Sequence, residues 1–78
     1  MRISILTCYG NTSSCGSFAD VHVFADKEVA RAKMKEFFDE DILEYEDDFV
    51  EIYINTPDRK EFHCGDDYYY YKIEEHEL

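Results

Sequence analysis

Three cysteines and three histidines are the residues of this 78-residue chain that could most readily do chemistry, and their spacing decides how much. Cys8, Cys15, His63 and Cys64 contain the donor set of a zinc tetrahedron with three thiolates and one imidazole. The first two lack the close pairing of a zinc knuckle, and neighbours such as His63 and Cys64 point to opposite faces of a regular strand. They read better as small packed thiols and a half-exposed ring. Nucleophilic catalysis would need Cys15 or a loop serine beside a base such as His22 or His63, with a third group orienting that base. The Cys-x5-Arg loop of cysteine phosphatases is not formed, since the position after five intervening residues is Ser14 for Cys8 and Val21 for Cys15. No G-x-S-x-G elbow occurs. Asp39-x-Asp41 begins like a calcium loop but continues with Leu43 where an oxygen ligand is required. Ile5–Ser14 has the Thr/Ser/Gly/Asn-rich turn of a phosphate loop, but a strand-like segment follows it where such a loop needs a helix N-terminus. The expectation is a protein that is not an enzyme, with no metal site and no cofactor.

What remains is charge and tyrosine. Nineteen Asp and Glu face eight Lys and Arg, a net charge of −11. Residues 1–25 hold only Arg2 and Asp20 and are neutral as a block, whereas ten acids and no base lie between Glu36 and Asp58. A helix favours acids in its first turn and bases in its last, and Lys27, Arg31, Lys33 and Lys35 followed by that acidic block largely reverse the preference. Glu36, Glu40 and Glu44 stand four apart, which stacks like charges on a helix. Sequences that break a local rule without structural gain mark candidate sites. The candidate partner surface is Glu36, Asp39, Glu40, Asp41, Glu44, Glu46, Asp47, Asp48 and Glu51. Tyr68 and Tyr70, the outward pair of the run Tyr68–Tyr71, join it because exposed tyrosines beside carboxylates suit protein contacts.

The elements that position these residues follow from periodicity. Arg2–Cys8 reads as a central strand, apolar on both faces and covered on both sides or nearly so. Tyr9–Ser17 reads as a loop, and Phe18–Phe24 as a strand with Val21 and Val23 on one face and Phe18, Asp20, His22 and Phe24 on the other. Asp26 is a natural N-cap. The stripe Ala30, Met34, Phe37, Phe38, Ile42 predicts a helix. Asp41 would fall inside that stripe, so the regular helix is expected to end near Asp39–Asp41. Phe49–Asn55 alternates with Val50, Ile52 and Ile54 on the buried side, Thr56–Arg59 is a turn preset by Pro57, and Lys60–Cys64 and Tyr68–Glu75 are strands. Tyr69, Tyr71 and Ile73 share the inner face of the last. The expected fold is α+β: one domain over 1–78, β-β-α-β-β-β, a mostly antiparallel sheet of four or five strands with one helix on one face.

Composition bounds the partners. A charge of −11 repels nucleic acid and anionic membranes as direct ligands, while 45% hydrophobic and 17% aromatic residues are enough for a packed core. The first apolar run stops at Thr7, too short for a secretion signal. An odd number of cysteines without scaffold spacing fits reduced thiols, so a cytoplasmic location is expected. Carboxylates four apart on a helix rise ~6 Å along its axis, and those two apart on a strand rise ~6.6–6.8 Å. Both are similar to the spacing of neighbouring phosphates along one nucleic-acid strand. A rigid row of this kind suits the basic channel of a nucleic-acid-handling protein, with steered and salt-sensitive association.

The segment FADKEVARAKMKEFF, preceded by a strand pair and followed by the last strand YYYYKIEEHEL, resembles short proteins of bacterial phage and mobile elements. In size, acidity and layout the chain is also similar to phage anti-defence inhibitors, the anti-CRISPR and anti-restriction DNA mimics. That resemblance implies an inhibitor of a host defence nuclease or other nucleic-acid-binding protein. The alternative is an interaction module or homodimer without inhibitory or catalytic activity.

Overall fold

The computed structural model describes residues 1–45 and 49–78. Its elements are β1 (Arg2–Thr12), β2 (Gly16–Phe24), α1 (Lys27–Leu43), β3 (Glu51–Asn55), β4 (Arg59–Cys64) and β5 (Asp67–Glu77). All strand pairs are antiparallel, in the order β2-β1-β5-β4-β3, and the helix packs on one face of the sheet. The expected α+β class, strand count and order of elements are all present.

The core forms where inward positions of the two long central strands meet the helix. Leu6 and Cys8 of β1, Tyr69, Tyr71 and Ile73 of β5, and Phe62 of β4 are buried against Ala30, Met34 and Phe38. Phe38 touches Phe62 and Tyr71 edge-on, with ring centroids 5.6 and 5.8 Å apart. The helix begins where Asp26, in an extended conformation, accepts the Glu28 amide at 2.8 Å. Its N-terminal half is tied to the sheet by ions. Arg31 Nε donates to Asp58 at 2.8 Å, while Lys27 Nζ lies 2.8 Å from Glu75 and 3.5 Å from Asp58. Lys33 and Lys35 pair along the helix with Glu36 and Asp39. The bases that oppose the helix dipole therefore do have a structural use, which the spacing along the chain did not reveal.

Four sequence expectations are corrected. The loop expected over Tyr9–Ser17 is a three-residue turn, because β1 pairs on both sides as far as Asn11 and reaches Thr12. Gly16 at φ +77° takes the left-handed position that such a hairpin requires, and Thr12 Oγ1 accepts the Cys15 amide. The helix runs on to Leu43, because Tyr71 of β5 donates its hydroxyl to the inward Asp41 carboxylate. In β3 a register shift between Ile52 and Ile54 breaks the alternation. Ile54 then lies opposite Glu61 on the other face, and Ile52 is 53% exposed. Lastly, β1 is central but covered on one face only, since one helix cannot cover both.

Removing the ring at the centre of this packing tests the arrangement. Phe38→Ala is expected to lower unfolding stability by about 3–5 kcal/mol, measured by urea denaturation. A loss below about 1 kcal/mol would mean the helix is not anchored there.

Candidate functional site

The acidic residues do not form one uniform surface. Glu36, Asp39, Glu40 and Glu44 are exposed on α1 and its C-cap. Because the helix is unbroken to Leu43, Glu36, Glu40 and Glu44 rise one turn at a time along one side, with no basic residue in the last turn. Lys33 and Lys35 partly neutralise Glu36 and Asp39. Glu40 and Glu44 have no ion-pair partner among the described residues. Tyr45, just past the helix, donates to Asp67 Oδ2 at 2.9 Å, while the Ser13 amide donates to Asp67 Oδ1 at 2.8 Å. These bonds hold the Asp67 carboxyl below the usual carboxylate range, the Ser13 amide contributing most. They also bring the β4–β5 turn, with exposed Asp66, to the acidic end of the helix. Glu51 is exposed at the start of β3. Glu46, Asp47 and Asp48 lie outside the described residues.

Asp41 is different. Its carboxylate is half-buried and lines a cavity of about 140 Å³ between α1 and β2 with Cys8, Phe18, Asp20, His22 and Phe37. Burial holds the Asp41 carboxyl above its ordinary value, opposed by the Tyr71 hydrogen bond and assisted by Glu44 and Glu40. Burial, then Asp41 and Asp20, pushes the Cys8 thiol up to about 11. The thiol is therefore protonated at neutral pH and a poor nucleophile or metal ligand. Among the described residues no group of three or more His, Cys, Asp or Glu is placed to hold a metal ion. No helix among them is long and apolar enough to cross a membrane.

The tyrosines lie on the sheet face that carries no helix, where Tyr68 and Tyr70 are half-buried. Arg59 donates to the Tyr70 hydroxyl through Nε at 3.0 Å and Nη2 at 2.5 Å. Tyr68 belongs to a row that crosses four strands. The Tyr53 and His63 rings stack at 4.0 Å, His63 and Tyr68 at 5.5 Å, and Tyr68 meets Tyr9 at 5.8 Å with their hydroxyls 3.1 Å apart. Tyr53 and Tyr9 were not singled out by sequence, and His63 was considered only as a metal donor or a base. Only the pairing of Tyr9 with Tyr70 and of His63 with Tyr68 places them together, and that needs the strand order.

Two surfaces thus stand apart: an acidic helix side and an open sheet face. No family model, curated protein or solved structure matches the chain.

Asp41 generates a pH test. Its folded pKa lies above its ordinary value of 3.8, so the carboxyl favours folding when protonated. That contribution is full at low pH and is lost as pH rises from about 3.8 through the raised value. Asp41→Asn still offers an oxygen to Tyr71 but does not ionise. Relative to wild type it should gain stability across that window and remain at least as stable at pH 7. Parallel stability–pH curves for the two proteins would contradict this.

Proposed function

We propose that the protein acts by binding, as a small acidic inhibitor whose helix side occupies the basic nucleic-acid channel of a host defence nuclease or other nucleic-acid-binding protein. The observation that carries this reading is the unbroken helix, which sets Glu36, Glu40 and Glu44 in a row and leaves the last turn without a base. Carboxylates one turn apart are ~6 Å apart along the axis, close to the phosphate spacing of a nucleic-acid strand. Glu40 and Glu44 meet no counter-ion among the described residues, so they are available to arginines and lysines of a partner. Asp66, brought alongside by the Tyr45–Asp67 bond, extends the same negative end. Such a field speeds association with a basic protein and makes the complex salt-sensitive. The thiol that lines the cavity with His22, Asp20 and Asp41 is that of Cys8, which burial keeps protonated at neutral pH, and this favours binding over nucleophilic chemistry there. A cytoplasmic setting fits the thiols of Cys8 and Cys15, which form no disulfide.

The test uses the purified chain as bait in bacterial extract at low salt and at about 0.5 M, where the Debye length falls to roughly 4 Å. Captured proteins should be nucleic-acid-binding, should elute at the higher salt, and should lose a labelled oligonucleotide when the chain is added. Glu40→Lys with Glu44→Lys should weaken that competition at least about tenfold, or ~1.4 kcal/mol. Unchanged competition by the double variant, or capture that ignores salt, refutes the reading.

A further inference from the structure

The open sheet face is chemically unlike the rest of the molecule. The outward positions of β1 are Ile3, Ile5, Thr7, Tyr9 and Asn11, and those of β2 are Ser17, Ala19, Val21 and Val23. In a chain with 35% charged residues, this half of the face holds no charged side chain. Val21 and Val23 are 63% and 61% exposed side by side. The other half carries charge in nearly balanced form. Lys72 lies 2.6 Å from Glu74, Glu61 lies 2.6 Å from His63, and Arg59 is held by Tyr70. With Glu51, the face as a whole has three acids against two bases, so almost all of the −11 is carried elsewhere.

We infer that this face is the contact between two copies of the chain, which pack sheet to sheet about a two-fold axis. Charge selects the occupant. A second copy carries almost all of its net negative charge off this face, so this is a surface that two copies can bring together without opposing their charge. Taking about 10 Å per packed layer, the two acidic helices would stand roughly 30 Å apart on the outside. That is nearly four Debye lengths at physiological salt, and their repulsion is largely screened. The area is sufficient as well. Five strands at about 4.8 Å spacing and roughly 25 Å of paired length cover on the order of 600 Å² in projection. Side-chain relief raises this toward the ~800 Å² per partner of a stable interface. A two-fold contact also meets the requirement that one patch be complementary to itself, and the uncharged β1–β2 half and the aromatic row both lie within it. The pairing leaves both acidic helix sides free, pointing in opposite directions. It does not rest on the basic-partner reading, and would make any such inhibitor bivalent.

Sedimentation of the purified chain up to about 100 μM tests the inference. The expected mass is twice 9.3 kDa, retained or favoured at high salt, the opposite of the dependence expected for a basic-partner complex. Val21→Glu and Thr7→Glu should each raise the dimer dissociation constant at least about tenfold, since each places a charge in the contact. Val29→Glu, at an exposed site on the helix, should leave it unchanged. Thr7 lies on a central strand, so its effect separates face packing from pairing along the free edge of β2. Isotope-filtered NMR of a mixed labelled and unlabelled wild-type sample should show inter-copy contacts at the Val21, Val23 and Ile5 methyl groups, whether or not a variant folds poorly. A monomer throughout the concentration range, a dimer indifferent to Thr7→Glu, or inter-copy contacts confined to the β2 backbone would overturn it.

Discussion

Phe38 meets Phe62 and Tyr71 edge-on beneath the middle of the sheet, and the other features of the molecule depend on the helix being held at that point. With Ala30 and Met34 on the same stripe, the contact sets α1 over the central strands β1 and β5. A single 17-residue helix cannot reach past them to shield a five-stranded sheet completely. Its position therefore decides which surfaces are finished and which are left open: the inner face is sealed at its centre, β2 is covered in part, and the outer face has no second layer.

Electrostatics follows the same division. The bases of the first half of α1 are spent on ties to Asp58 and Glu75 and on pairs with Glu36 and Asp39. The second half has none, so negative potential gathers at the helix C-terminus, where the backbone carbonyls add to it. Asp41 shows the cost of position over type. One residue from Glu40 it faces the core, gives its charge to a tyrosine hydroxyl and is lost to any outside partner. The outer face is the complement of this arrangement, nearly balanced in charge and partly apolar.

Much of the architecture was legible in local pattern. The period of Ala30, Met34, Phe37, Phe38 and Ile42 located the helix, Asp26 its start, and the alternation in Phe18–Phe24 and Tyr68–Ile73 the inward and outward sets. What misled was local evidence about things settled at a distance. Ile3, Ile5 and Leu6 suggested a strand covered on both sides, although hydrophobicity on both faces is also what an uncovered face produces when it is kept for association. Asp41 looked like a helix end because a carboxylate in an apolar stripe is costly unless a donor meets it, and its donor lies 30 positions away.

By its own periodicity and charge order, the amino-acid sequence determined an α+β chain with one amphipathic helix, alternating strands and a concentrated acidic stretch, because these are properties of neighbours three, four or two residues apart. The order β2-β1-β5-β4-β3, the bulge in β3, the aromatic row from Tyr53 to Tyr9 and the open face were decided only by tertiary structure. They depend on pairings such as Arg2 with Glu77, at separations where local preference has no reach and packing against one shared helix selects the register.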